Sequence, residues 1–265
     1  MTYRGIYMDD LKYKLIATQG GIGDFLQCLP YILANPTHRY ISLIHFKGYK
    51  ELFRFLKFKP QYIVYYITEE EKAEEIRKLN IKENGYECPR TLYFDKNPFG
   101  KAKKAFNNDR KTIGVQVHAS KNAQYWLKLL NKRPKNIPAK VVTDLAKDYN
   151  VLFFGLPDDI AETGIQQSEH IKFVSFYDIA KSLSYVEQCD AFVGCDSAIK
   201  TLSVMLRIPT FVWIGDHEDG FRDNWFVGPY EKDGTMGTYR FDKLDEEYDI
   251  ALTKTKEYLN AHTKV

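Results

Sequence analysis

Three polar turns carry the residues whose types and spacing could do chemistry. The first runs Thr18-Gln19-Gly20-Gly21-Ile22-Gly23-Asp24, between a strand-like apolar run and a helix-like one. Its glycines, Gly21 and Gly23 among them, allow a ligand to approach the backbone closely. Asp24 reads either as a helix cap or as a general base. The dinucleotide fingerprint fails because Leu26 occupies the third glycine position, and no Gly-Lys-Ser/Thr follows to make a Walker loop.

The second turn is Val117-His118-Ala119-Ser120-Lys121, with Gln124 and Trp126 just beyond. Ser120 and Lys121 supply a hydroxyl and a cation suited to phosphate oxygens. Lys121 reads equally well as a solvated loop lysine, and His118 as a hydrogen-bonded histidine at a strand end. The third turn, Gly194-Cys195-Asp196-Ser197, precedes a helix with Ile199, Leu202, Met205 and Leu206 on its apolar side. Asp196 and Ser197 can cap that helix, and the N–H groups of Ser197, Ala198 and Ile199 would form an anion site. Lys200 and Thr201 fall in its first turn. Asp-x-Asp pairs and the Gly-x-Ser-x-Gly nucleophile signature are absent. The Asp216-His217-Glu218-Asp219 cluster reads as a solvated loop, so no metal is expected.

These turns need strands and helices to position them. Strand patterns at Tyr13–Thr18, Tyr40–Phe46 and Tyr62–Ile67 alternate with helical patterns at Asp24–Leu33, Tyr49–Leu56 and Glu69–Leu79. The pattern weakens between Asn80 and Arg110, where Gly85, Pro89, Pro98 and Gly100 precede a basic run, Lys101 to Lys104. It resumes with strands at Ile113–Val117, Val151–Phe154, Lys172–Val174, Ala191–Val193 and Thr210–Ile214. Helices are expected at Ala139–Asp148, Tyr177–Tyr185 and Lys243–Leu259. Alternation of this kind predicts parallel sheets covered by helices. The expected architecture is α/β, with two doubly wound Rossmann-like domains facing each other across a cleft. The first domain would span 1–110 and the second 111–242, with a terminal helix at 243–265 that could pack back on the first domain.

At 265 residues and 44% hydrophobic content the chain can fill two such cores. Its net charge of +3 permits an anionic partner without requiring one. No apolar run reaches the roughly 20 residues needed to span a bilayer, and the N-terminal stretch lacks a secretory signal core. The four cysteines show no metal-like spacing and read as buried free thiols. A cytoplasmic protein is expected.

Together the three turns resemble glycosyltransferase family 9, the lipopolysaccharide heptosyltransferase family with the GT-B fold. Gly23-Asp24-Phe25-Leu26-Gln27-Cys28-Leu29-Pro30 is similar to its N-terminal motif of a glycine, an Asp and an apolar helix ending in Pro. Asp196-Ser197-Ala198-Ile199-Lys200-Thr201-Leu202 is similar to its donor-site motif, with Ala198 in place of the motif glycine and Thr201 in place of its histidine. His118-Ala119-Ser120 resembles its phosphate-binding loop. The resemblance implies an inverting, metal-independent transfer from a nucleotide-diphosphate sugar to an acceptor hydroxyl, with no cofactor. Asp24 would be the base. Gly21, Gly23, His118, Ser120, Lys121, Gln124, Asp196, Ser197, Ala198, Lys200 and Thr201 would bind the donor or its phosphates, Lys200 supplying positive charge in place of the missing histidine. A glycan or lipid-linked acceptor is implied.

Two alternatives stay open. Basic residues interleaved with aromatics from Tyr40 to Lys59 fit a nucleic-acid acceptor, as in phage-type DNA modification, but fit better an amphipathic helix with core aromatics and solvated lysines. The replaced motif residues also fit a non-catalytic nucleotide-sugar binder.

Overall fold

A computed structural model describes residues 15–20, 22–35, 39–44, 49–57, 62–65, 70, 73–74, 77, 88, 92–119, 136–215 and 228–263. The chain divides into two compact units, Met1–Thr91 and Leu92–Val265.

The first unit holds a parallel sheet of β1 (Leu15–Gly20), β2 (Arg39–Ile44) and β3 (Tyr62–Tyr65), in that order. Between the strands run α1 (Ile22–Ala34) and α2 (Tyr49–Phe55). Phe25, Leu26, Leu29 and Ile32 recur at helical spacing on α1 and are all buried. Phe25 meets Phe53 of α2 edge-on at 5.4 Å, an arrangement aromatic rings prefer. The helix continues past Pro30 to Ala34, close to the expected span of Asp24–Leu33. Pro30 costs one backbone donor, and the buried side chains on either side of it hold the helix together. The expected helix at Glu69–Leu79 lies largely outside the described residues.

The second unit is built on six parallel strands: β4 (Thr112–Gln116), β5 (Asn150–Phe154), β6 (Ile171–Val174), β7 (Ala191–Gly194), β8 (Thr210–Gly215) and β9 (Met236–Phe241). Their order across the sheet is β6-β5-β4-β7-β8-β9. Every residue of β5, β7 and β8 is buried, as a parallel sheet covered on both faces requires. Crossings pass through α3 (Lys140–Ala146), α4 (Pro157–Glu162), α5 (Ile179–Leu183), α6 (Ala198–Met205) and α7 (Gly228–Lys232). The doubly wound parallel sheet expected from the alternating pattern is therefore present. The edge strand β9 and the short helices α4 and α7 had no readable sequence pattern.

Two boundaries differ from expectation. Residues 92–110 belong to the second unit, because its backbone and side chains satisfy them. Phe94 N–H donates to the Met205 carbonyl at 2.7 Å. Ala105 N–H donates to Gln188 Oε1 at 2.8 Å, and Gln188 Nε2 donates back to the Ala102 and Lys103 carbonyls. The last helix, α8 (Leu244–His262), belongs to the second unit and packs there against β8 and β9. Its Tyr248, Ala251 and Leu259 enter the same core as Val141, Val142 and Leu145 of α3 and as Phe211 and Trp213 of β8. Tyr248 also donates to Asp144 of α3 at 2.8 Å.

Candidate functional site

In the second unit the chain leaves β4, winds outward through β5 and β6, and returns to lay β7 against the other side of β4. Gln116 at the end of β4 is level with Gly194 at the end of β7. The segments leaving these two strands are Val117-His118-Ala119 and Cys195-Asp196-Ser197, and they diverge where the strand order reverses. In an open α/β sheet that is where ligands bind, at the carboxyl edge. Two of the three turns singled out in the sequence thus emerge side by side.

The approach of β7 to β4 depends on glycine. A Cβ at Gly194 would lie 2.4 Å from the Gln116 carbonyl oxygen, closer than real Cβ atoms come. Cys195 N–H donates to that same oxygen at 3.2 Å, which closes the strand pair just before the turn. Gln116 Nε2 donates to the His118 carbonyl at 3.1 Å. Gln116 was not singled out in the sequence. Its position as a polar residue closing the apolar run Ile113-Gly114-Val115 was the available signal.

His118 is half-buried and forms an antiparallel bridge with Asn136. Its backbone is fixed further by the Ile137 N–H, which donates to the Val117 carbonyl at 2.9 Å. Ser120, Lys121, Gln124 and Trp126 lie outside the described residues, as do Gly21 and the 216–219 cluster.

The third turn is sharply defined. Ser197 is the N-cap of α6, in extended conformation, and its Oγ accepts from Lys200 N–H at 3.2 Å. Thr201 N–H and Oγ1 both bond to the Ser197 carbonyl, at 3.0 and 3.1 Å. That leaves the N–H groups of Ala198 and Ile199, the first two of the helix, with no acceptor among the described residues. Unsatisfied donors of this kind, at the positive end of the helix dipole, suit an anion.

Asp196 is not the cap. It precedes the cap and is 19% exposed, with Oδ1 2.7 Å from Lys200 Nζ. Lys200 is itself only 1% exposed. It was expected to offer its charge to a phosphate, but its side chain turns inward to Asp196. Thr201, at the histidine position of the resembled motif, is also buried, with its hydroxyl occupied by the Ser197 carbonyl.

In the first unit, α1 begins at Ile22, so Asp24 lies within the first turn rather than at the cap. Its carboxylate still complements the positive helix end. Gly23 precedes it within the helix, and both residues are half-buried. The helix follows the carboxyl end of β1, the same strand-turn-helix arrangement as β7 and α6.

Thiol chemistry finds no support here. All four cysteines are free and buried. Burial pushes the Cys189 thiol well above its ordinary range, and the neighbouring Asp190 charge adds to the shift. Among the described residues no three His, Cys, Asp or Glu side chains are grouped to hold a metal ion. None of the described helices is long and apolar enough to cross a membrane.

No protein-family model matches the sequence, and no curated protein matches it. Solved structures do. The chain is similar to E. coli ADP-heptose LPS heptosyltransferase II, with 12% identity and a TM-score of 0.55 over 94% of this chain and 98% of that one. A glycosyl transferase family 9 protein of Veillonella parvula matches at 13% identity and a TM-score of 0.47, over 93% and 90% of the two chains. E. coli heptosyltransferase WaaC, solved with ADP-2-deoxy-2-fluoro heptose, matches at 14% and 0.49, over 92% and 98%. The first of these, over nearly the whole of both chains, shows that this chain shares the GT-B fold of heptosyltransferase II.

Proposed function

We propose that this protein is a glycosyltransferase that moves a sugar from a nucleoside-diphosphate sugar to an acceptor hydroxyl. The observation that carries this reading is the meeting of the His118 and Asp196-Ser197 segments at the β4/β7 switch point. It occurs in a chain with the fold of heptosyltransferase II. A switch point with two helix N–H groups that have no acceptor among the described residues suits a diphosphate.

In this reading the Asp24 carboxylate accepts the proton of the acceptor hydroxyl as its oxygen attacks the anomeric carbon. The new C–O bond forms on the face opposite the leaving group, so the transfer inverts. The bond from that carbon to the diphosphate breaks, and its electron pair leaves with the diphosphate. The Ala198 and Ile199 N–H groups, with Ser120 and Lys121, stabilise the departing charge. Fixed dipoles and cations of this kind replace a divalent ion. ADP sugars are the first donors to examine, since ADP-heptose names the heptosyltransferase II match. The acceptor is a surface glycan or its lipid-linked precursor.

The test pairs binding with turnover. ADP, GDP, UDP and NAD are compared for thermal stabilisation of the full chain, and the sugars of the best binder are then assayed for transfer. One nucleoside diphosphate should stabilise the fold by about 2.7 kcal/mol at a hundredfold excess over its dissociation constant. Asp24→Asn should keep that stabilisation while losing transfer. Stabilisation by NAD alone, or undiminished turnover in Asp24→Asn, would sink the reading.

A further inference from the structure

Lys200 is among the largest fully buried side chains of the described residues, and it is a cation. On α6 it stands between Ile199 and Leu202, both buried. Removing an ammonium from water costs far more than packing returns unless an opposite charge meets it. Asp196, four residues earlier in the turn ahead of the helix, meets it at 2.7 Å. The carboxylate is partly exposed while the lysine is not. Asp196 thus lies between the buried cation and water, directly ahead of the cap Ser197.

That placement poses an electrostatic problem for the proposed donor site. A carboxylate next to the positive helix end competes with any second anion brought to the same N–H groups. At separations of about 6 Å and an effective dielectric near 20, two like charges repel enough to lower affinity by roughly a hundredfold. A cation in ion-pair contact cancels most of that repulsion. The same contact fixes where the carboxylate points.

We propose that Lys200 is a positioning residue, whose buried ammonium neutralises and orients Asp196 so that the first turn of α6 can receive the donor diphosphate. The inference rests on the glycosyltransferase reading above and adds a role for a residue that touches no ligand.

The experiment uses the full chain and measures binding of the nucleoside diphosphate that stabilises it most, of pyrophosphate, and of the matching uncharged nucleoside. Lys200→Met should weaken both diphosphate probes about 10- to 100-fold. Nucleoside binding should change by less than about threefold, a selectivity that simple loss of structure would not produce. The double variant Lys200→Met with Asp196→Asn removes both charges together, a change buried pairs often tolerate. It should regain most of the lost diphosphate affinity. If Lys200→Met alone does not fold, the double variant and the wild type decide. A double variant that binds diphosphate as poorly as one lacking a phosphate contact would mean that Lys200 acts directly, and the inference fails. Unchanged binding in Lys200→Met overturns it while leaving the glycosyltransferase reading intact. A wild-type chain that binds no nucleoside diphosphate overturns both.

Discussion

Trp213 Nε1 donates to Thr255 Oγ1 at 2.8 Å, with both residues buried, and this bond fastens the last helix to the strand beside β7. The Thr255 hydroxyl donates in turn to the Ala251 carbonyl at 2.8 Å. Replacing Thr255 with Val keeps the shape and strands the indole N–H in an apolar site. A buried donor without an acceptor costs about 1–3 kcal/mol. Urea unfolding followed by circular dichroism should show a loss of that size with little change in slope. Unaltered stability would mean that the indole finds another acceptor.

Gly194 is the position where a single methyl group should do most damage. In Gly194→Ala the new Cβ meets backbone, the Gln116 carbonyl, at 2.4 Å, so no side chain can rotate away to relieve it. Overpacking of this kind costs about 1–3 kcal/mol, occasionally more. The strain falls directly before the Cys195-Asp196-Ser197 turn, so diphosphate affinity should drop with stability. A variant with wild-type melting and wild-type binding would show that β7 moves away from β4 without cost.

The second unit should be sensitive to acid. The Lys147 ammonium, hydrogen-bonded to Asp144, holds that carboxyl below its ordinary value of 3.8, against a smaller opposing effect of burial. The backbone N–H of Lys243, then the Tyr239 hydroxyl, hold Glu247 below 4.5. Both carboxyls bind protons less readily folded than unfolded, so their contribution is present above the ordinary range. It is lost as pH falls through the lower folded values. The melting temperature should be level from about pH 6 to 8 and fall below about pH 4.5. The pair Asp144→Asn with Glu247→Gln should flatten that fall. An equally steep decline in the double variant would assign acid sensitivity to other groups.

Much of the fold was legible because apolar period and turn chemistry are local. Ala191 to Val193, the Gly194-Cys195 turn and the apolar face of α6 could be read from 25 consecutive residues or so. Strand order is not local. The adjacency of β4 and β7 brings Thr112 N–H to Asp190 Oδ2, residues 78 positions apart, and no spacing in the sequence announces it. The placement of residues 92–110 was hidden for a similar reason. Their partners are the side chains of Glu187 and Gln188 and the carbonyls of Leu183 and Ser184. A segment without periodic apolar residues looks like a linker whether or not such partners exist.

The second unit's candidate site followed the same division. Ser197 as a cap could be read from its type and place. The direction of Lys200 could not. A lysine four residues after an aspartate ordinarily reads as a solvated pair, and only the packing of α6 against the sheet turns it inward.

Helix α6 also receives the chain at its other end, where the Met205 carbonyl accepts from Phe94 N–H just after the division between the two units. Arg207, in left-handed conformation beyond the helix, lays its guanidinium over the Tyr93 ring at 4.1 Å. The eight residues of α6 therefore carry the donors at Ala198 and Ile199 at one end and, at Met205, the point where the second unit takes hold of its incoming chain at the other. One residue added or removed within α6 would swing one end about 100° and shift it about 1.5 Å relative to the other. The geometry therefore constrains the length of this helix more tightly than the side chains along it, which makes α6 the gauge of the second unit.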